Sequence, residues 1–259
     1  MSLRDLLDLH GKVAIVTGGS RGLGLQIAEG LGEMGAKVTL TARKPDELDS
    51  ARRHLEALGI ECLTVAADLA VPDAVPPVVD RVLAKWGQVD VVVNNAGCIW
   101  AAPAEDYPNA GWRKVMDLNI DAAFYLSREV AKRAMIPRTS GKIINIASIA
   151  GLGGNPPDWE MGTVAYNTSK GALIALTRTL AAEWGKYNIN VNAICPGFFQ
   201  SKMTQATLQR IDRKIIDMTP LGRLGGDEDL KGIAVFLASE ASRHVTGQFL
   251  AVDGGCSAI

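Results

Sequence analysis

Cysteine and histidine are scarce in this chain and poorly placed for one another. Of 259 residues, four are cysteines (Cys62, Cys98, Cys195, Cys256) with no Cys-x-x-Cys pair, and three are histidines (His10, His54, His244) with no metal-ligand spacing. Neither a disulfide framework nor a zinc site is expected, and the metal assignment is none. An excess of either charge is also lacking. The 27 basic and 28 acidic residues leave a net charge of −1 with the signs interspersed, so a nucleic-acid or anionic-membrane partner is not expected. No apolar run approaches the ~18 residues of a membrane span, and the opening Met1-Ser2-Leu3-Arg4-Asp5-Leu6 carries Asp5 where a signal peptide would be apolar. The expected location is the cytoplasm. No Ser- or Pro-rich tract, charge block or compositional shift marks a linker, so residues 1–259 read as one domain, and a hydrophobic content of 47% allows a large core.

Short apolar runs alternate with helical periodicity along the chain. The pattern predicts strands near 12–17, 36–42, 61–66, 89–94, 141–147, 188–194 and 247–252. It predicts helices near 22–34, 46–58, 73–86, 109–135, 163–185 and 227–239. Runs such as Val89-Asp90-Val91-Val92-Val93 and Lys142-Ile143-Ile144-Asn145-Ile146 are nearly continuous in apolar residues, as strands covered on both faces must be. The expectation is α/β: a single-domain Rossmann fold whose doubly wound, mostly parallel seven-stranded sheet carries helices on both faces. Its ligand site should lie at the carboxyl ends of the strands. Gly18, Asp68, Asn95, Ser148 and Gly197 all fall at or just beyond such ends.

Two local patterns carry chemistry. The first strand runs into Gly18-Gly19-Ser20-Arg21-Gly22-Leu23-Gly24 and then into a helix, whose N-terminal N–H groups and dipole attract a pyrophosphate. The glycines fall at 18, 22 and 24, off the Gly-x-Gly-x-x-Gly spacing. The second pattern is Tyr166-x-x-x-Lys170, which stacks a phenol and an ammonium on one helix face, with Ser148 eighteen residues upstream. A nearby cation stabilises phenolate and brings the phenol toward working pH as a general acid or base. Taken singly each pattern has a plain alternative: a solvated helix face, a strand-end serine, an asparagine turn at Asn95, or a helix N-cap at Asp68.

Together, Thr17-Gly18-x-x-x-Gly22-x-Gly24, Asn94-Asn95-Ala96-Gly97, Asn119, Ser148, Tyr166-x-x-x-Lys170 and Pro196-Gly197 occur in the order of the short-chain dehydrogenase/reductase family, which the chain resembles over nearly its full length. Within that family it is most similar to bacterial 3-oxoacyl reductases and gluconate 5-dehydrogenases, chiefly in Pro196-Gly197-Phe198-Phe199-Gln200-Ser201-Lys202-Met203-Thr204. The resemblance implies a catalytic set of Asn119, Ser148, Tyr166 and Lys170. Tyr166 would exchange the proton with the substrate oxygen, Ser148 would orient that oxygen, Lys170 would hold the nicotinamide ribose, and Asn119 would support a water chain. It implies cofactor contacts from Gly18, Ser20, Arg21, Gly22, Leu23 and Gly24; from Arg43, Asp68, Leu69, Asn95, Ala96 and Gly97; and from Tyr166, Lys170, Pro196, Gly197 and Ser201, the last a serine where threonine is commoner. A substrate loop or lid is expected over about 198–226.

Charge argues the choice of dinucleotide. The second strand ends Leu40-Thr41-Ala42-Arg43, with Ala42 where an NAD-binding acid would stand, while Arg21 sits in the glycine loop. Two arginines without an acid favour NADP(H). Phe198, Phe199, Met203 and Leu208, with Trp100 and Trp159 opposite, are expected around the substrate, and the excess loop Gly153–Glu160 should shape specificity. Lys202 is the one nearby cation for a substrate carboxylate. The apolar positions Ala172, Leu173, Leu176 and Leu180 suggest a homo-oligomer, with a tetramer favoured. Arg128, Lys132, Arg133 and Arg138 form either a solvated basic face or a dock for an acidic carrier. The expected substrate is a ketone or secondary alcohol, foremost a 3-oxoacyl thioester; a keto-sugar acid and a non-catalytic NADP-binding module are the alternatives. A serine hydrolase is disfavoured because Ser148 lacks a Gly-x-Ser-x-Gly elbow.

Overall fold

The computed structural model describes residues 1–259, apart from the side chain of Ala206. Seven strands form one sheet: β1 (Val13–Thr17), β2 (Lys37–Ala42), β3 (Cys62–Ala66), β4 (Val91–Asn94), β5 (Gly141–Ile146), β6 (Ile189–Pro196) and β7 (Phe249–Val252). Their spatial order is β3-β2-β1-β4-β5-β6-β7, and every pairing is parallel. The order reverses between β1 and β4, so a crevice opens there at the carboxyl edge.

Alternation along each strand divides the core. Ala14 and Val16 pack on one face with Ile27 and Leu31 of α2 (Gly22–Glu33), Leu48 and Leu55 of α3 (Pro45–Ala57), and Ala234 of α10 (Lys231–Ala238). Val13 and Ile15 point the other way, toward Val78, Val79 and Val82 of α4 (Val75–Trp86) and Leu180 of α8 (Val164–Trp184). The same face is covered by a long helical rod: α5 (Asn109–Met116), a π-helical turn at Asp117–Asp121, α6 (Ala122–Val130), a second π-helical turn at Ala131–Met135, and α7 (Ile136–Arg138).

Two helices are present that the sequence reading did not place. Leu3–Leu7 forms the short α1, started by a reciprocal capping box in which Ser2 and Asp5 each take the other's backbone N–H. Gln205–Asp217 forms α9 inside the expected loop, with Leu208, Ile211 and Ile215 as its apolar stripe. The helix placed at 73–86 starts later, at Val75, after a 3₁₀ turn over Pro72–Ala74. The one placed at 227–239 starts at Lys231.

Candidate active site

Local chemistry at the end of β1 builds the floor of the site. Gly18 takes φ +63°, and a Cβ there would stand 3.0 Å from the Ala96 Cα. At Gly24 a Cβ would stand 2.5 Å from the Gly18 carbonyl oxygen, so this glycine serves helix–loop packing rather than ligand approach. No side chain caps the N-terminus of α2. Its free N–H groups and positive dipole end therefore face the crevice, which suits a pyrophosphate. Thr17 fastens the two sides of the switch point: its Oγ1 accepts from the N–H groups of Asn95 at 2.9 Å and Ala96 at 2.8 Å and donates to the Val93 carbonyl at 3.3 Å. Asn95 Nδ2 donates back to the carbonyls of Thr17 at 2.8 Å and Gly18 at 3.2 Å. Thr17 was not among the expected site residues. It opens the glycine motif in the sequence, a hydroxyl ending an otherwise apolar strand, but that motif assigned it no role.

A cleft of about 450 Å³ opens at this edge. Every expected cofactor residue lines it, from Gly18 and the glycine loop through Arg43, Asp68, Leu69 and Asn95–Gly97 to Pro196, Gly197 and Ser201. Ser148, Tyr166 and Lys170 line it too. Asn119 does not; it is 1% exposed, in the first π-helical turn. Its Nδ2 donates to the Cys98 carbonyl and to Ser169 Oγ, both at 3.0 Å, while its Oδ1 accepts from the Cys98 N–H at 2.8 Å. The side chain thus ties the loop after β4 to α8, one residue before Lys170. Asp68 accepts the Ala70 N–H at 3.2 Å, capping its own turn.

The reacting groups sit on α8 and at the end of β5. Ser148 Oγ accepts the Ala150 N–H at 3.1 Å, which leaves its own proton to donate. Lys170 is 4% exposed and donates to the Ile146 carbonyl at 2.6 Å. Burial holds its ammonium down to about 8. Burial also pushes the Tyr166 phenol above its ordinary value, opposed by a hydrogen bond with Ser148. The expected stacking of Lys170 against Tyr166 is present, but the phenol is pushed up by burial and not brought down by the ammonium. Lys170 Nζ lies 5.6 Å from the Tyr166 ring centroid, over the ring, with one of its three N–H groups donated to the Ile146 carbonyl. Desolvation governs both groups.

Other expectations need amendment. Trp159 is 4% exposed and packs edge-on against Phe198 at 5.6 Å, among Ile211 and Ile215 of α9. Its carbonyl accepts from Arg210 at 3.2 Å, and Asp158 pairs with Lys214 at 2.9 Å. The excess loop therefore fastens to α9, and neither Trp159 nor Phe198 and Leu208 lines the cleft. Trp100 lies outside it as well, beneath Lys114. Phe199 and Met203 do line it, joined by Ile99 and Leu118. Leu173 and Leu180 are buried in the chain's own core, so they offer no free apolar stripe. Arg133 pairs with Asp80 and Glu129, and Arg138 with Asp90, so half of the basic cluster is already neutralised. At the far end of the cleft, an acid does stand among the arginines: Glu47, on the first turn of α3, chelates Arg21.

A parallel sheet with an uncapped helix N-terminus, a glycine floor and a Ser–Tyr–Lys group in one cleft defines a dinucleotide-dependent oxidoreductase. The family model described as enoyl-(acyl carrier protein) reductase matches residues 18–257. The chain is 40% identical over 259 residues to a gluconate 5-dehydrogenase of Gluconobacter oxydans, covering 98% of each. It is 37% identical over 260 residues to a rhamnolipid-biosynthesis 3-oxoacyl-[acyl-carrier-protein] reductase of Pseudomonas aeruginosa, covering 98% of this chain and 99% of that one. A crystal structure of a gluconate 5-dehydrogenase from Burkholderia cenocepacia, in complex with NADP and tartrate, superposes with a TM-score of 0.93 at 34% identity over the whole of both chains. The chain belongs to the short-chain dehydrogenase/reductase family, and it is an oxidoreductase acting on CH–OH and C=O groups.

Proposed function

We propose that this enzyme interconverts a ketone and a secondary alcohol with NADP(H), and that its substrate is a small keto-sugar acid of the gluconate class. The observation that carries the reaction is the buried Lys170 under the Tyr166 ring, in the cleft that the glycine loop also lines. The substrate class rests on the 40% identity to a gluconate 5-dehydrogenase. A 3-oxoacyl thioester, the first expectation from sequence, stays as a second reading because of the 37% identical 3-oxoacyl reductase.

The residues present fit a dinucleotide: the uncapped start of α2 for the pyrophosphate, Asp68 and Leu69 for the adenine, Arg21 and Arg43 for a 2′-phosphate, and Pro196, Gly197 and Ser201 for the nicotinamide end. When bound, the nicotinamide supplies or accepts the hydride. Tyr166 exchanges the proton with the substrate oxygen, and Ser148, whose Oγ accepts from Ala150 and keeps its proton for donation beside Tyr166, orients that oxygen. Lys170 keeps a positive charge under the phenol and holds a ribose hydroxyl. Asn119 positions Lys170 through Ser169 and the Cys98 loop and touches no substrate. Residues 198–226, braced by α9 against Trp159, act as the lid. The assembly is a homo-oligomer, a tetramer, through the part-exposed Ala172 and Leu176 of α8 and not the buried Leu173 and Leu180, and the setting is cytoplasmic.

The test is a screen of NADPH oxidation across 5-ketogluconate, other keto-sugar acids, 3-oxoacyl esters, diketones and cyclic ketones, with NADH in parallel. Turnover led by the keto-sugar acids supports the proposal. Turnover confined to 3-oxoacyl esters would replace it with the second reading.

A further inference from the structure

The cationic end of the cleft is already partly filled by the protein's own carboxylate. Glu47 Oε1 and Oε2 lie 2.6 and 2.5 Å from Arg21 Nη1, and Oε1 lies 3.2 Å from Lys44 Nζ. Ser20 Oγ lies 3.5 Å from Oε2. Arg43 lines the same end and has no acidic partner among the described residues. Burial pushes the Glu47 carboxyl up, but the Lys44 hydrogen bond and the charges of Arg21, Lys44 and Lys202 outweigh it and hold the carboxyl below its ordinary value. Lys202, which the sequence offered as a partner for a substrate carboxylate, is thus close enough for its charge to act on this far end. Glu47 is ionised throughout the working range, and two anions cannot share one guanidinium at full strength.

We infer that Glu47 is an internal stand-in for the dinucleotide's 2′-phosphate: it holds Arg21 and Lys44 in the open cleft and must yield them when a phosphorylated cofactor binds. Glu47 therefore sets the preference between phosphorylated and unphosphorylated dinucleotides, although it lies in α3 and not at the end of β2. Arg43, unpaired, makes the first hold on the 2′-phosphate, and Arg21 joins after exchanging its carboxylate. The inference rests on the NADP(H) assignment proposed above.

Glu47→Gln keeps the size and the helix position while removing the charge. The experiment titrates full-length enzyme and this variant by calorimetry with 2′,5′-ADP, which carries the 2′-phosphate, and with 5′-AMP, which lacks it. The variant should bind 2′,5′-ADP about three- to fivefold more tightly, the scale of one partly exposed ion pair, and bind 5′-AMP within about twofold of the parent. An unchanged 2′,5′-ADP affinity overturns the inference. So does a weakened one, since the carboxylate would then be arranging Arg21 for the phosphate instead of competing with it. If 2′,5′-ADP fails to outbind 5′-AMP on the parent enzyme, the NADP(H) assignment itself falls, and the inference with it.

Discussion

Replacing Thr17 by valine keeps the outline of the side chain and deletes one hydroxyl, at a residue 3% exposed. That oxygen accepts from the N–H groups of Asn95 and Ala96. Asn95 retains a second acceptor, the Val93 carbonyl at 3.1 Å, whereas Ala96 has no other among the described residues. A buried amide without a partner costs ~1–3 kcal/mol; Ala96 is half-buried and the Asn95 loss is partial, so Thr17→Val should destabilise by about 2 kcal/mol. In a chain of this length that lowers Tm by roughly 4–8 °C. Because Asn95, Ala96 and Gly97 line the cleft, cofactor affinity should fall as well. Thr17→Ser keeps the acceptor and loses one methyl, ~0.8 kcal/mol, so it should melt between the two. The assay is thermal unfolding by circular dichroism at fixed protein concentration, with and without NADPH, beside a fluorescence titration of NADPH. A valine variant that melts within about 1 °C of the parent and binds NADPH equally would refute the reasoning, because the fastening of β1 to β4 would then not depend on that hydroxyl.

Tyr166→Phe should cut turnover by roughly 10²–10⁴ while NADPH still binds, as measured by steady-state kinetics and titration; a turnover loss smaller than about tenfold would remove Tyr166 from proton transfer. Arg43→Asp should lower NADPH affinity and improve relative use of NADH by about tenfold, since it removes the unpaired cation and adds a repelling charge; an unchanged cofactor preference counts against the NADP(H) assignment. Lys170 gives a pH test. Its folded value of about 8 lies below the ordinary lysine value of 10.5, so below pH 8 both states carry the proton and the buried charge costs stability. Between those values the native state releases the proton while the unfolded chain keeps it, so stability rises with pH. The Tm of the parent minus that of Lys170→Met should therefore grow from pH 7.5 to 9.5, by scanning calorimetry without cofactor; a constant difference would show that Lys170 does not titrate in this window.

Much of the architecture could be read from periodicity alone. Runs such as Val91–Asn94 and Gly141–Ile146 are apolar because both of their faces are covered, and that physical demand writes itself into consecutive residues. The glycine loop and the Tyr–Lys spacing were equally legible, since backbone approach and helical stacking are local. α9 escaped because it is polar apart from one stripe, and its stripe faces Trp159, a partner some fifty residues away in sequence.

The sequence by itself determined the alternation of strands and helices, the glycine turn and which residues carry reactive groups, because these depend on neighbours along the chain. Only the tertiary structure decided what those groups meet. Lys170 donates one hydrogen bond to Ile146, Asn119 holds Cys98 and Ser169, Trp159 braces α9, and Arg21 faces Glu47, twenty-six residues distant. Burial and ion pairing are properties of contacts between separate segments, and no spacing within one segment encodes them.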